Sequence, residues 1–296
     1  MRVLVTGAWG QLGRSIARAF GAAHEVLAVG RADLDIGDAR ALRDRVEHFQ
    51  PALIVNCAAY NEVDRAEDEP RLALSINGIA PRALADAARL VDAVLVHYST
   101  DFVFDGDAAV PYSEDDNVRP QSVYAMSKLM GEWGAATAPK HYVMRLESVF
   151  GGAVDAGTTH ARRGSTIDRI ADSLLGGREV RVFVDRVVSP SYVEDVTRAT
   201  AALVSRRAPY GLYHCVNSGM ATWHELALEM ARQFEIDAQI VLVHTSDVRL
   251  KAPRPRFCAL ANAKLAAAGV QMPTWRDAIA RYAADRRRLE ASASCT

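Results

Sequence analysis

Short apolar, β-branched runs alternate with segments of helical periodicity through the first half of the chain. Residues 2–6 read as a strand, about 12–20 as a helix and 25–29 as a second strand, which predicts a βαβ opening. The runs at 53–57 and 94–98 are almost continuously apolar, as expected of parallel strands covered on both faces by crossover helices. Between them, Leu72, Ile76, Ile79, Ala83 and Ala87 recur three or four positions apart and predict a helix over 70–90. A helix after Pro120 and a strand at 141–146 extend the alternation. The expected class is α/β, a doubly wound Rossmann-type parallel sheet followed by a smaller C-terminal α/β substrate lobe.

Past residue 146 the pattern is less regular. Gly151, Gly152, Gly157 and Gly164 mark a loop, 166–175 and 192–205 read as helices, and 180–184 as a strand. Segment 212–216, the helix 222–234, the strand 239–243 and the turn Pro253-Arg254-Pro255 are expected to complete the second lobe. The expected division is a dinucleotide-binding domain over 1–146, with 180–205 packing back on it, and a substrate-binding lobe from 147–179 and 206–290. Arg286-Arg287-Arg288 reads as a solvated helix end, with an anion site as the alternative.

Composition narrows the chemistry. At 296 residues, 50% hydrophobic and 24% charged, the chain is neither disordered, collagenous nor a disulfide scaffold. With 35 basic and 36 acidic residues it has no overall electrostatic pull toward nucleic acid or an anionic membrane, so a small molecule is the expected partner. Cys57, Cys215, Cys258 and Cys295 are dispersed without a CxxC pair, which suits a reducing compartment. The chain opens directly on a strand, without a basic then apolar leader, and no run reaches membrane-spanning length, so a cytoplasmic protein is expected. His224-Glu225 lacks a second histidine one turn on, and no metal is expected. No GxSxG elbow occurs, which argues against an α/β hydrolase. His97 reads as a satisfied core histidine.

Gly7, Gly10 and Gly13 stand at GxxGxxG spacing where the first strand meets the first helix. Backbone alone passes close enough to a pyrophosphate there, and the helix N-terminus offers free amides and a positive dipole end. A dinucleotide site is expected, with Gln11 and Leu12 among its contacts; a merely structural turn is the alternative. After the second strand, where an acidic residue would bind the ribose of NAD, stands Arg31, which favours a 2′-phosphate. The alternative is an exposed Arg31 paired with Asp33 or Asp35. Asp35 and Ile36 are expected beside the adenine.

Tyr124 and Lys128 lie one helical turn apart on one face, after the fourth strand, whose end at Thr100 points into the crevice where such sheets bind ligands. A phenol with an ordinary pKa of about 10 needs its phenolate stabilised to serve as an acid near neutrality. Lys128 is expected to do this and to hold the nicotinamide ribose, while Thr100 hydrogen-bonds the substrate oxygen. An exposed surface pair is the alternative.

With these residues in this order the chain resembles the extended short-chain dehydrogenase/reductases. The segments Val55-Asn56-Cys57-Ala58-Ala59-Tyr60, Val63-Asp64-Arg65-Ala66-Glu67, the run from His97 to Gly106, and Gly211-Leu212-Tyr213-His214 followed by Thr222-Trp223 narrow it to the dTDP-4-dehydrorhamnose reductase family. The resemblance implies reduction of the C4 ketone of dTDP-4-keto-6-deoxy-L-mannose to dTDP-L-rhamnose. It implies Thr100, Tyr124 and Lys128 as catalytic residues and Ala58, Ala59, Tyr60 and Asn77 near the cofactor. Val63, Asp101 and Phe102 would face the sugar, and Arg254 the diphosphate. The family segment Arg-Thr-Ser-Trp-Val-Tyr here reads Arg145-Leu146-Glu147-Ser148-Val149-Phe150, so Ser148 stands where a tryptophan packs near the sugar. Either the pocket has opened, or Glu147 and Ser148 bond a more hydroxylated sugar.

The expected cofactor is NADP(H), with NAD(H) as the alternative, and the expected partner is a nucleotide sugar, with oligomeric state open. Two rival functions remain: a nucleotide-sugar epimerase or dehydratase that retains NAD, and a non-catalytic NADP-binding regulatory subunit.

Overall fold

The computed structural model describes residues 1–152 and 165–293; Gly157, Gly164 and Cys295 lie outside them. The chain opens β1 (Arg2–Thr6), α1 (Gln11–Gly21), β2 (Glu25–Val29), α2 (Ala39–Phe49), β3 (Leu53–Asn56), α3 (Val63–Ala66). Helix α4 (Pro70–Ala73), a π turn (Leu74–Ile79) and α5 (Ala80–Leu90) follow, then β4 (Val94–Thr100), a 3₁₀ turn (Asp101–Val103), α6 (Val123–Ala135) and β5 (His141–Leu146). Next come β6 (Val149–Phe150), α7 (Thr166–Leu175), β7 (Val180–Phe183), β8 (Val187–Val188), β9 (Ser191–Tyr192) and α8 (Val193–Arg206). The chain continues through β10 (Gly211–His214), β11 (Ala221–Thr222), α9 (Trp223–Phe234) and β12 (Ile240–Val243). It closes with α10 (Ala263–Ala267) and α11 (Trp275–Ala293).

Six parallel strands form the main sheet in the order β10-β5-β4-β3-β1-β2. β3 is buried along its whole length, because helices cover both faces. Ile16 of α1 and Val193, Val196 and Leu203 of α8 pack on one side with Val3, Val5 and Val55. Leu42 of α2, Leu84 of α5 and Ala135 of α6 pack on the other with Leu4, Ile54 and Leu95. The helix expected over 70–90 is one continuous rod carrying a π turn in its middle.

Two segments differ from expectation. β10, expected in the second lobe, pairs in parallel with β5 from Gly211–Tyr142 to His214–Arg145 and forms an edge of the main sheet. Helix α8 is the reason: its apolar stripe is buried against α1 and the sheet, so it serves as the crossover that returns the chain. β7, expected to pack back on the first domain, pairs with β12 instead, and its Val180 and Val182 belong to a second core with Ile170 of α7, Leu226 and Met230 of α9 and Ile279 of α11.

Arg286 is no solvated helix end. It donates to Asp172 Oδ1 at 2.6 Å and to the Tyr282 hydroxyl at 3.0 Å, tying α11 to α7, whereas Arg287 is exposed. Cys57, Cys215 and Cys258 are free thiols. No helix among the described residues is long and apolar enough to cross a membrane.

Candidate active site

The turn between β1 and α1 has the geometry of a cradle. Gly7 adopts φ +62°, and a Cβ there would sit 2.5 Å from the Ala58 amide nitrogen; one on Gly13 would sit 2.2 Å from the Gly7 carbonyl oxygen. Gly10 is the N-cap of α1, and the first amide to bond within the helix is Arg14, to the Gly10 carbonyl at 3.0 Å. The amides of Gln11, Leu12 and Gly13 therefore remain for a ligand, and a pyrophosphate fits both their charge and the bare backbone around them. The Leu12 side chain is buried in the core. Gln11 reaches across to the other lobe, donating to the Gly151 carbonyl at 2.5 Å and to Asp168 Oδ2 at 3.0 Å.

At the end of β2, Arg31 is exposed and, among the described residues, without an ion pair. Its two acidic neighbours are engaged elsewhere. Asp33 accepts from the Gly30 amide at 2.8 Å and from the Trp9 indole at 3.3 Å, which hold its carboxyl below the usual range; Asp35 accepts from the Gly37 amide at 2.9 Å. Ile36 is buried. Trp9, which the sequence did not single out, lies against Gly30, where any Cβ would be 2.1 Å from its ring.

Along the crevice, Ala58, Ala59 and Tyr60 are half-buried. Asn77 on the π turn is fully engaged in holding them: its Oδ1 accepts from the Tyr60 amide at 2.8 Å, and its Nδ2 donates to the Tyr60 carbonyl at 2.9 Å and the Ser127 hydroxyl at 3.0 Å. It positions the Tyr60 backbone. Underneath, Thr6 donates to Asn56 Oδ1 at 2.7 Å, and Asn56 Nδ2 faces His97 Nδ1 at 3.0 Å. His97 is only half satisfied, since Nε2 is buried without a partner; burial and the Lys128 charge hold the ring neutral.

Thr100 ends β4, and α6 carries Tyr124 and Lys128. The helix start is fixed from two sides: Ser122 caps the Ala125 amide at 3.2 Å and Glu67 accepts from the Val123 amide at 2.9 Å. Burial pushes the Tyr124 phenol well up; Thr100, through a side-chain hydrogen bond, and the Arg254 charge pull it back. Lys128, expected to do that work, donates to the Tyr98 carbonyl at 2.6 Å, and burial lowers its own pKa to about 8. The correction has a simple cause: a buried ammonium takes the strongest acceptor in reach, here a backbone oxygen at the end of β4.

Residues 1–288 match the family model described as RmlD substrate binding domain. The chain belongs to that family. It is 37% identical over 289 residues to the dTDP-4-dehydrorhamnose reductase of Streptomyces griseus, covering 94% of this chain and 91% of that one. It is 34% identical over 287 residues to the spore coat polysaccharide biosynthesis protein SpsK of Bacillus subtilis, with 96% and 98% covered. A crystal structure of dTDP-4-dehydrorhamnose reductase from Bacillus anthracis in complex with NADP superposes with a TM-score of 0.87 at 31% identity, covering 95% of this chain and 98% of that one.

Val63 and Phe102 pack beside Tyr124 in one cluster, the Phe102 ring edge-on to the phenol at 5.8 Å. Arg254 stands 6.0 Å from the Phe102 ring centre and pairs with Asp64 at 2.9 Å. An adjoining cavity of about 440 Å³ is lined by Arg254, Arg169, Arg181, Arg186 and Trp223 among others. Sequence reasoning found one of those arginines; the rest converge only in three dimensions, from α7, β7 and the turn after it.

Ser148 is half-buried with φ +43°, a conformation that a bulky side chain adopts at a cost. Glu147 and Asp101 turn inward: each is 3% exposed. With Cys258 they form the one cluster among the described residues that brings three acidic or thiol ligand atoms within 4.8 Å of one another. Asp101 thus departs from the expectation of a sugar-facing carboxylate, and Glu147 from that of a recruited sugar contact.

Proposed function

We propose that this protein is an NADPH-dependent oxidoreductase that reduces the C4 ketone of a nucleotide 4-keto-6-deoxy sugar, converting dTDP-4-dehydrorhamnose to dTDP-L-rhamnose. The observation that carries the reading is the convergence of Thr100, Tyr124 and Phe102 between a glycine cradle and an arginine-lined cavity.

A nicotinamide cofactor held at the turn of Gly7, Gly10 and Gly13 would supply the hydride for C4. Tyr124 gives its phenolic proton to the oxygen, so the ketone becomes a secondary alcohol, and Thr100 holds that oxygen by a hydrogen bond. Lys128 keeps a positive charge under the site and has donors to spare for a ribose hydroxyl. Val63 and Phe102 cover the apolar face of the sugar. Arg254, leaving Asp64, meets the diphosphate with help from the cavity's other arginines. The second lobe supplies most of that cavity.

Incubation with NADPH and a panel of nucleotide 4-keto sugars, followed at the nicotinamide absorbance, tests the reading. Consumption with the dTDP-linked 4-keto-6-deoxy sugar is expected. A protein that copurifies with tightly held NAD and consumes no NADPH would be an epimerase or dehydratase; one that binds NADPH but turns over no sugar would be a binding subunit.

Arg31 carries a second test. Exposed beside a glycine-rich turn and, among the described residues, without an ion pair, it is placed to bind a 2′-phosphate, a charge-assisted contact worth about 1.5–3 kcal/mol, or roughly a tenfold to hundredfold preference for NADPH over NADH. In Arg31→Ala, titration of the two cofactors should show that preference gone. Equal discrimination by parent and variant would remove Arg31 from the site.

A further inference from the structure

One buried oxygen is left without a role in this scheme. Asp101 Oδ1 accepts from the Thr100 hydroxyl at 3.0 Å, but Oδ2 is buried and, among the described residues, has no donor within hydrogen-bond geometry, the weakly donating Cys258 thiol beside the carboxylate being the nearest help. A carboxylate is acceptor-only when ionised, and a bare carboxylate oxygen in the interior is strongly unfavourable. The groups around it are the Glu147 carboxyl and the Cys258 thiol, whose ligand atoms lie within 4.8 Å of its own. Glu147 comes from the turn after β5, fixed by its amide to Ser191 Oγ at 3.1 Å and by the Ser189 amide donating to its Oε2. Cys258 comes from the segment after Pro255, and its thiol leans on the Pro255 carbonyl at 3.5 Å.

Charge decides the state of this cluster. Arg186 is the cation facing it, 9% exposed, with its Nε donating to the Pro255 carbonyl at 3.3 Å. Two ionised carboxylates against one guanidinium would leave a net negative charge in a place from which water is excluded. One proton makes the cluster neutral and supplies the donor that Asp101 Oδ2 lacks.

We propose that Asp101 and Glu147 hold one proton between them, and that Glu147 thereby acts as a positioning residue, keeping Asp101 in place as the acceptor that parks the Thr100 hydroxyl until the substrate oxygen claims its proton. The proposal rests on the reading of Thr100 as the group that meets the substrate oxygen. In the free protein Thr100 donates to Asp101 and accepts from the Phe102 amide at 3.3 Å; the ketone oxygen, which carries no proton, takes over that hydroxyl hydrogen when it binds, and the proton shared with Glu147 then keeps the released Asp101 carboxylate from standing bare. The electrostatics agree. Burial raises Asp101 to about 6, held back by hydrogen bonds from the Cys258 thiol and the Thr100 hydroxyl, while burial and the Asp101 charge raise Glu147 well above the carboxylate range; Arg186 opposes both, and burial keeps the Cys258 thiol neutral. The other titratable groups at this end are Tyr124, which feels the Asp101 charge, and Arg254 beside it.

Both carboxyls have folded-state pKa values above their unfolded ones. Their contribution to stability is therefore fully present below about pH 4 and is lost as pH rises through about 6 and beyond. The full-length parent, Glu147→Gln and Asp101→Asn are compared for melting midpoint between pH 5 and 8. The parent should lose about 3–8 °C more over that range than either variant, each of which removes one of the two competing charges. In Glu147→Gln the pH limb of kcat should also shift, because the carboxyl that shares its proton with Asp101 is gone. A glutamate that merely filled space would change the midpoint equally at every pH and leave the kcat profile in place. Parental pH slopes in both variants would overturn the proposal, as would a stoichiometric metal ion in the purified parent, since the same three groups would then be its ligands. Altered melting slopes in a protein whose parent reduces no 4-keto sugar would sink the functional reading and leave the shared proton standing.

Discussion

Tyr124→Phe is expected to fold normally and bind NADPH like the parent while its kcat falls about a hundredfold to ten-thousandfold, the usual contribution of a positioned general acid. The ring keeps its place: it is 9% exposed, in contact with Val63 and edge-on to Phe102, and none of that depends on the hydroxyl. What disappears is the proton donor. In the free protein, burial disfavours the phenolate, so the phenol is fully protonated at neutral pH and ready to give its proton once charge develops on the substrate oxygen. Single-turnover measurement with NADPH separates binding from chemistry. Undiminished turnover would eliminate Tyr124 as the acid.

The largest loss of stability is expected from Glu132→Ala. Glu132 and Arg145 form a doubly bonded ion pair, Nε to Oε1 and NH2 to Oε2 both at 2.8 Å, with side chains only 7% and 3% exposed. Ser99 donates to the same carboxylate at 2.6 Å, and the guanidinium lies 4.9 Å from the Phe104 ring centre. Deleting the carboxylate strands a buried guanidinium and should cost about 3–5 kcal/mol in urea unfolding. Replacing both residues by apolar ones of similar size should cost much less, because no charge is then left alone. The pair joins α6, which carries Tyr124 and Lys128, to β5 and to the strand that ends in Thr100. Glu132→Ala is therefore expected to lower kcat as well, although it touches no substrate. A loss below about 1 kcal/mol would mean that water reaches the guanidinium.

How far the sequence could be read follows from which signals are local. β1, β2 and β5 stand at the residues that their apolar runs indicated: Val3, Leu4 and Val5 of β1 and Tyr142, Val143 and Met144 of β5 are buried between helices, and β2, at the sheet edge, keeps an apolar run although only Val29 is buried. Tyr124 and Lys128 were legible through helical spacing, and Thr100 through its place at a strand end. Helix α2 was not, since only Leu42 and Val46 of its eleven residues are buried and the stripe is too thin to announce itself. The partners that set each group's chemistry were also out of reach. Nothing near Lys128 in sequence says that the Tyr98 carbonyl will take its ammonium, or that Asp101, Glu147 and Cys258 will meet. The position of β10 was missed for the same reason. Its composition suits either lobe, and only the burial of α8 against α1 decides between them.

That placement of β10 bears on how such a chain can be divided or recombined. A fragment ending at residue 146 would leave the β5 edge open and strip α8 from the face of α1, exposing Ile16 and its neighbours to solvent. The half that follows residue 146 is thus no cassette. A graft of residues 147–290 onto another nucleotide-binding half would have to bring a sheet strand and its covering helix with it, so new sugar specificities are more accessible by changes in single loops than by exchange of whole modules.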